Sequence, residues 1–404
     1  MGNNDASQTI SLPKGGGALQ GIGEKFSADL FTGTANFSVP IETPPGRNGF
    51  QPQLSLAYSS GTGNGPFGLG WGLSVPGITR KTSRGIPRYD DALDVFILSG
   101  AEDLVPVETG PNFTRYKPRT EGLFARITHH FGAGGNFWKV ESKDGSISIY
   151  GAASTAAGPT TIVDPTGNIF AWKLSQTTDV FGNIVEYRYV KDEAQLYLSE
   201  IRYVDYGLPS EGQFLVSVRF SYEPRPDEFS DHRAGFAIRT RRRCSTITLV
   251  TKPAEELVSR TYSFIYAGDP RAPQSQIPLN RASLLSQIQV TGIDGAKQQP
   301  LPPLKFDYTR FVPKTQRFFP VSGPELPAES LAHPDRELVS LFGNGLLDIL
   351  QMNGVVRYWR NLGNGKFDRP RSMANAPAGV ELGDPGVQLL DANGDDQRVR
   401  CRFP

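Results

Sequence analysis

The residues best placed to do chemistry are three oxygen donors near the end of the chain. Asp391, Asn393 and Asp395 have the 1, 3, 5 spacing of a calcium loop, with Gly394 between the last two. Oxygen atoms on alternate residues can surround one hard cation. The acidic ligand expected at the ninth position is replaced by Val399. The sequence therefore offers an incomplete calcium site here, and it indicates no other metal or cofactor.

A second candidate is a GxGxxG pattern formed by Gly63, Gly65 and Gly68. In dinucleotide-binding proteins these glycines begin a helix whose N-terminus faces a pyrophosphate. Here Pro66 lies inside the pattern, and the residues that follow, GLGWGLSVPG, are not helical in type. We interpret the glycines as tight bends of a twisted sheet.

Two clusters of basic residues complete the candidates. Arginines in Arg239–Cys244 (RTRRRC) would point to alternate faces of a strand, which predicts ion pairs with nearby Glu223, Glu228 or Asp231 rather than a phosphate site. His129 and His130 would likewise face opposite ways, a poor geometry for a metal. No nucleophile motif, Walker loop or paired CxxC is present. These patterns predict no catalytic residues and a protein that is not an enzyme.

Composition limits the class of protein. The 404 residues include 44 glycines and 32 prolines, and the formal net charge is only +1, so no global field favours nucleic acid or anionic lipid. Cys244 and Cys401 cannot form a disulfide framework. No signal peptide or long apolar run is recognised, so we expect synthesis in the cytoplasm and any export by a dedicated route.

The elements that must position these residues are short strands. Alternating apolar residues recur from Phe26 to about residue 295, and Asp144-Gly145 is a hairpin signal. Two similar segments, each with Asp, two residues and Gly-Asn, begin at Asp164 and Asp179 and predict a repeated strand, turn and strand. The predicted fold is all-β: many short antiparallel strands form curved sheets of a shell-like β domain, followed by an incomplete β-propeller fragment.

Changes in composition predict four parts of the chain. We expect a flexible lead over residues 1–20, a β domain over 21–300, a proline-rich connection over 301–335, and partial propeller repeats over 336–404. The last part carries LFGNG and LDANG as matching positions about 50 residues apart, a period typical of propeller blades.

The chain resembles the SpvB family, which comprises N-terminal regions of bacterial virulence-plasmid B proteins and B subunits of insecticidal toxin complexes. The resemblance covers about residues 10–310. It rests on three segments: KGGGALQGIGEKFSADLFTGTANFSVPI, PPGRNGFQPQLSLAYSSGTGNGPFGLGWGLSVPGITR and AGFAIRTRRRC. The tail from about Glu337 is similar to FG-GAP or VCBS propeller repeats.

The resemblance implies a role and partners. In such complexes the B subunit and a C-type partner form a hollow β-rich shell around a toxic enzyme, and the B-subunit propeller docks on an A-type pore subunit. We therefore expect a secreted, non-enzymatic structural component of a toxin complex, with no nucleic-acid partner and no membrane-spanning segment.

The chain departs from the family pattern at its end. It stops inside the second propeller repeat, lacks the C-terminal ADP-ribosyltransferase domain of some members, and ends in DANGDDQRVRCRFP. A frameshift or premature stop in a longer gene is a hypothesis that further repeats in the downstream DNA would support.

Two other functions stay open from the sequence. Aromatic residues could grip a glycan or a host protein as a surface binding module, although aromatic residues of strands usually lie in the core. The four that stand out are Tyr58, Trp71, Tyr358 and Trp359. A glycosidase with paired carboxylates is the third reading, and it requires two acids facing one cleft.

Overall fold

The computed structural model describes most of the chain. The described residues are 24–29, 34–99, 102–120, 122, 124–151, 158–207, 212–272, 277–309, 313, 317–374, 376, 379–385, 387–390 and 399–402. Within these ranges no helix has both the length and the apolar character needed to cross a membrane. The chain divides into two compact units, residues 1–311 and 312–404. The boundaries predicted at 20, 300 and 335 stay predictions, and residues 1–20 lie outside the described part.

The first unit is built from antiparallel strands, which confirms the all-β prediction. In the described residues its one helical element is a 3-10 turn, Arg47–Gly49. The strands are β1 (Lys25–Asp29), β2 (Thr34–Ile41), β3 (Leu54–Ser59), β4 (Asn64–Gly65), β5 (Gly68–Leu69), β6 (Trp71–Leu73), β7 (Gly77–Arg80), β8 (Phe96–Leu98), β9 (Glu102–Gly110), β10 (Phe113–Pro118), β11 (Arg126–His130), β12 (Phe137–Glu141), β13 (Ile147–Tyr150), β14 (Thr161–Val163), β15 (Ile169–Thr178), β16 (Ile184–Asp192), β17 (Gln195–Tyr206), β18 (Gln213–Asp231), β19 (Ile238–Thr251), β20 (Leu257–Tyr266), β21 (Leu285–Asp294), β22 (Lys297–Pro300) and β23 (Leu304–Lys305).

Eight strands close into a ring. Strands β7 to β13 pair in chain order, β13 pairs with β15, and β15 pairs back with β7. Because side chains alternate along each strand, every second residue points inward. The interior is aromatic, with fully buried Phe96, Trp138 and Trp172 in mutual edge contact. This ring is the curved sheet that the sequence predicted.

A larger sheet continues from the second half of β15. Strands β16 to β21 follow in chain order, each paired with its predecessor, and β22 and β23 cover the edge of β21. The register of β18 against β19 shifts between Pro224 and Phe229. This bulge turns residues 225–228 out of the regular alternation, as bulges do.

A smaller sheet of β1, β2, β3 and β6 forms a second layer. Its apolar residues Val39, Ile41 and Leu56 belong to the same core as the large sheet. Two tyrosines of the large sheet bind the segment after β2: Tyr262 Oη accepts from the Glu42 amide at 2.9 Å, and Tyr203 Oη donates to the Pro44 carbonyl at 2.6 Å.

Local turn chemistry accounts for the predicted hairpins. Asp144 accepts hydrogen bonds from the amide and hydroxyl of Ser146 in the turn between β12 and β13. Asp164 and Asp179 do the same for the amides of Asn168 and Asn183 at either end of β15. The hairpin and the repeated strand, turn and strand are therefore confirmed.

The second unit contains a four-stranded antiparallel sheet in the order β24, β25, β26, β29, with two further pairs, β27–β28 and β30–β31. The strands are β24 (Arg336–Val339), β25 (Asp348–Met352), β26 (Val356–Trp359), β27 (Asn361–Gly363), β28 (Lys366–Phe367), β29 (Arg371–Ser372), β30 (Val387–Leu390) and β31 (Val399–Arg402). All of β25 is buried, with separate apolar clusters on its two faces. A propeller stays a prediction for this unit.

Candidate functional site

The predicted calcium ligands Asp391, Asn393 and Asp395 lie outside the described residues. In the preceding repeat, Asn344 Oδ1 accepts from the amide of Leu346 at 3.1 Å, so it serves the turn itself. No group of three acidic, histidine or cysteine side chains suited to a metal occurs in the described part of the chain. The incomplete calcium site therefore stays a prediction.

The GxGxxG glycines form a hairpin rather than a helix. Gly65 of β4 pairs with Gly68 of β5, and Pro66 and Phe67 form its tip. The Phe67 ring is buried against Phe264 at a centroid distance of 5.8 Å. No helix N-terminus is available for a phosphate here, as the sequence analysis expected.

The hairpin tip is bonded to the large sheet through its backbone. The Pro66 carbonyl accepts from the Cys244 amide at 2.7 Å, and the Leu69 amide donates to the Ser283 carbonyl at 2.9 Å. Gly68 has φ +94°, and a Cβ there would lie 2.5 Å from the Ser283 carbonyl oxygen. Glycine is required because both the conformation and the contact exclude a side chain.

The β18 bulge supplies the side chains that hold this hairpin. Arg225, whose side chain is fully buried, donates to the Gly65 carbonyl at 2.9 Å and to Asn64 Oδ1 at 2.7 Å. Asp227 pairs with Arg225 and accepts from Asn64 Nδ2 and from the amide and hydroxyl of Ser283. We call these five residues the hairpin lock.

The lock favours a charged carboxylate. Burial of Asp227 opposes ionisation, but hydrogen bonds from Arg225, Ser283 and Asn64 outweigh it and hold the pKa of Asp227 well below its usual range. Every charged partner is satisfied inside the protein, the condition under which a buried ion pair is tolerated.

The arginine strand makes ion pairs, which confirms its interpretation. Arg241 and Arg242 both pair with Asp192, and Arg243 pairs with Glu223 at 2.7 Å. The Arg243 guanidinium also lies 4.2 Å from the ring centre of Tyr266. Of the three predicted carboxylate partners, only Glu223 is used by this strand in the described contacts; Asp231 pairs with Arg233.

A second arginine–aspartate network lies inside the eight-stranded ring, and the sequence analysis missed it. Arg80, 5% exposed, donates to Asp94 at 2.7 Å and to Asp91 at 2.6 Å. Its guanidinium lies within 5.0 to 5.6 Å of the ring centres of Phe96, Tyr89 and Trp172. The sequence held a sign of it, because alternation along β7 places Arg80 on the same buried face as Ile78.

His129 completes this network. Its side chain is fully buried and stacks on Trp138 at a centroid distance of 4.3 Å. Its Nε2 bonds Asn136 Oδ1 at 2.9 Å, and its Nδ1 lies 3.6 Å from Asp91 Oδ2 without a hydrogen bond. Burial lowers the pKa of His129, with Asn136 and Asp91 opposing this effect and Arg80 adding to it. His130 points away and stacks on Phe137, so the two histidines do not share a site.

The aromatic residues considered for glycan binding mostly serve the core. Trp71 and Trp359 are each 2% exposed, and their indole N–H groups bond Tyr308 and the Glu325 carbonyl. Half-buried Tyr58 and Tyr358 pack against Trp71 and Phe342. These contacts leave no exposed platform of the four side chains.

The outer face of the large sheet is polar. Glu186 of β16 pairs with Arg202 of β17, and Glu200 of β17 pairs with Arg219 of β18, each directly across neighbouring strands. A cavity of about 430 Å³ lies over these residues. Its arginines are paired with its carboxylates, so it presents no free acid and base in a matched position.

The architecture and its two networks define a β-rich scaffold. A family model described as "SpvB: Salmonella virulence plasmid 65kDa B protein" matches residues 30–203. This part of the chain is similar to the SpvB family. In this chain the glycine-rich motif and the arginine strand are directly bonded, because the Pro66 carbonyl accepts from the Cys244 amide.

Curated relatives and solved structures extend the match. Mono(ADP-ribosyl)transferase SpvB of Salmonella choleraesuis (strain SC-B67) is 30% identical, over 61% of this chain and 51% of the relative; its counterpart in Salmonella typhimurium (strain 14028s / SGSC 2262) is 29% identical over the same shares. A chain in the crystal structure of TcdB2-TccC3 matches 96% of this chain at 25% identity and TM-score 0.68. A chain in the structure of the Photorhabdus luminescens Tc holotoxin pore matches 98% of this chain at 25% identity and TM-score 0.71.

The coverage of the relatives is partial. This chain spans about half the length of the curated transferases and about a fifth of each Tc chain. The N-terminal domain of SpvB from Salmonella typhimurium strain LT2, at 24% identity and TM-score 0.53, shares the fold over 63% of this chain.

The prediction that the protein is not an enzyme is wrong in the light of these relatives. Five curated relatives carry the name mono(ADP-ribosyl)transferase. The prediction rested on missing motifs, and missing motifs say nothing about what a family does.

Proposed function

We propose that this chain forms part of the β-rich shell of a secreted bacterial toxin complex, which encloses a toxic effector and docks on a pore-forming subunit. The observation that carries the proposal is the similarity of 96–98% of the chain to one chain of the Tc assemblies, at TM-scores of 0.68 and 0.71. Similarity over almost the whole chain, rather than over one common motif, favours a shared role.

The construction of the first unit suits a wall. One face of the large sheet is apolar and covered by the sheet of β1, β2, β3 and β6. The other face carries the cross-strand pairs of Glu186 with Arg202 and Glu200 with Arg219. Opposite charges placed directly across strands support a sheet while keeping that face hydrophilic. Such a face can line a water-filled compartment without binding its contents.

The partners we propose are a C-type shell subunit and an A-type pore subunit. The names TcdB2-TccC3 and Tc holotoxin pore describe the assemblies of the matched chains, and they motivate this choice. One way for such subunits to join is pairing between strand edges, which bind readily when they are unpaired.

Co-purification tests the proposal. The full chain would be mixed with a TccC3-type subunit and passed over a size-exclusion column, with the bound fraction measured by affinity capture. We expect a stable complex that the Arg225→Ala variant forms less well, while the exposed-pair variant Arg233→Ala binds normally. Elution of the folded chain apart from both the C-type and the A-type subunit would overturn the proposal.

A second candidate, mono(ADP-ribosyl)transferase activity, is favoured by the names of the curated relatives. The full chain would be incubated with labelled NAD⁺ and a host-cell lysate. Transfer of label to a lysate protein would place the activity in this chain. Failure to label, with a complete relative active in parallel, would exclude it under those conditions.

A further inference from the structure

The loop between β7 and β8, residues 81–95, is held by bonds within itself, to the ring and to the turn between β18 and β19. Lys81 Nζ, for example, donates to Asp103 of β9 at 2.6 Å. Asp94 accepts the amides of Arg88 and Tyr89, both at 2.9 Å, and the Arg80 guanidinium at 2.7 Å. Tyr89, at φ +60°, donates its hydroxyl to the Ala234 carbonyl. We call this segment the capping loop, because Arg80, Phe96, His129 and Trp138 lie at or next to strand ends on one side of the ring.

Hydrogen bonding fixes the tautomer of His129. Asn136 Oδ1 lies 2.9 Å from Trp172 Nε1 as well as from His129 Nε2. An indole N–H can only donate, so the shared Asn136 atom must be an oxygen. His129 Nε2 must then also donate, which leaves Nδ1 as the basic position of the neutral ring.

The basic nitrogen of His129 faces the capping loop. Nδ1 lies 3.6 Å from Asp91 Oδ2, and Asp91 is 37% exposed while His129 is fully buried. In the neutral ring two electron-rich atoms face each other, and the Nδ1 atom has no hydrogen-bond partner. Asp91 keeps its place chiefly through Arg80, which bonds its other oxygen.

The groups around His129 come from every element packed against it. They are Arg80 of β7, Asp91 and Asp94 of the capping loop, Phe96 of β8, Tyr116 of β10, His130 of β11, Phe131 and Asn136 between β11 and β12, Trp138 of β12, and Trp172 of β15. Among them Asn136 and Asp91 favour a proton on His129, while burial and the charges of Arg80 and His130 oppose it.

We propose that the capping loop is an acid-opened cover of the eight-stranded ring, released when His129 takes up a proton. With the loop closed, the imidazolium would be buried among Trp138, Trp172 and Phe96. Opening lets water reach the ring and solvate the charge. Linkage fixes the direction, because the state that binds the proton more tightly gains population as pH falls.

The direction of the pH dependence follows from the pKa of His129 in the closed state. Burial lowers the pKa of His129 there below its ordinary 6.5. A solvated His129 in the open state would return toward 6.5, so the open state binds more protons as pH falls below that value. Between the two pKa values the opening equilibrium rises by up to about tenfold per pH unit.

Amide hydrogen exchange of residues 81–95 tests the proposal. Opening factors would be compared at about pH 7.5 and about pH 5, after correction for the intrinsic exchange rate. We expect a loss of protection at the lower pH, of up to about tenfold per pH unit below the ordinary pKa of 6.5. His129→Gln, which keeps a donor for Asn136 but does not titrate, should be insensitive to pH; His130→Gln, on the opposite face, should behave as the unaltered chain.

A second measurement, on the unaltered chain, tests the proposal if the His129→Gln variant does not fold. Side-chain nitrogen shifts of His129 in the unaltered chain should show Nε2–H with unprotonated Nδ1 at neutral pH. Protonation should coincide with the loss of capping-loop protection. Equal protection at both pH values, an acid response retained in His129→Gln, or protonation of His129 with the loop still protected would each overturn the proposal.

Discussion

Two buried arginine–aspartate networks in the same unit differ in how completely their partners are satisfied. In the hairpin lock, Arg225 and Asp227 meet backbone and side-chain partners from Asn64, Gly65 and Ser283, and both charges are at most 8% exposed. In the ring, Arg80 is as deeply buried, but its partner Asp91 is 37% exposed.

The difference teaches that burial of a charge pair does not by itself decide rigidity. The lock uses its charges to hold a glycine hairpin whose own backbone is bonded to the large sheet. The ring leaves one imidazole nitrogen without a hydrogen bond beside a carboxylate on a loop. The first arrangement is suited to fixed architecture and the second to a change of state.

Removing the arginine of the lock should have the largest effect. Arg225→Ala leaves the Asp227 charge buried without its partner, a loss of about 3–5 kcal/mol in the free energy of unfolding. Denaturant unfolding measures it. Arg233→Ala removes an exposed pair, 74% exposed at Arg233, and should cost at most about 1 kcal/mol. Equal losses of unfolding free energy in Arg225→Ala and Arg233→Ala would show that the buried pair of the lock contributes no more than an exposed pair.

A methyl group at the hairpin should cost less. Gly68→Ala combines strain at φ +94° with a contact of 2.5 Å to the Ser283 carbonyl oxygen, and it should lower the free energy of unfolding by about 1–3 kcal/mol. Gly167→Ala is the matched control, since its φ is +96° with no atom near the added Cβ. Thermal unfolding of the two variants separates strain from contact. If Gly68→Ala destabilises the protein no more than Gly167→Ala does, the close contact between residue 68 and the Ser283 carbonyl is contradicted.

Acid should weaken the lock at lower pH than it opens the capping loop. The pKa of Asp227 is depressed in the folded protein, so its contribution is present above its ordinary pKa of 3.8 and lost as pH falls toward the folded value. Unfolding midpoints between about pH 5 and about pH 3 should fall less steeply in Asp227→Asn than in the unaltered chain. Identical slopes would show that Asp227 is not the responsible group.

The smallest effect should be at the arginine strand. Arg242 is 50% exposed and pairs with Asp192. Arg242→Ala should therefore lower the free energy of unfolding by less than about 1 kcal/mol. Arg243→Ala should cost more, because Arg243 is 14% exposed and also lies over Tyr266. A reversed order in denaturant unfolding would contradict the assigned contacts.

The sequence predicted what local chemistry determines. Asp144-Gly145 and the Asp164 and Asp179 turns were predictable because each aspartate bonds amides within four residues. Alternation along RTRRRC likewise predicted ion pairs for its arginines, but it did not predict that the neighbours Arg241 and Arg242 share one partner, Asp192.

Contacts between distant parts of the chain were not predictable in the same way. Arg225 meets Asn64 across 161 positions, and His129 meets Asp91 only because the ring closes. Alternation could suggest that His129 points inward, but not which loop it would face. The motif Arg225-Pro226-Asp227 inside a strand-like run was a usable sign of a bulge, since proline cannot donate to a ladder.

One hydrogen-exchange experiment on the full chain tests the contrast between the networks most directly. Protection would be followed together in residues 64–69, the lock hairpin, and 81–95, the capping loop, at about pH 7.5 and about pH 5. We expect the hairpin to stay protected at both values and the loop to lose protection only at the lower one. Joint loss in both segments, or no loss in either, would contradict the assignment of one network to architecture and the other to an acid-dependent opening.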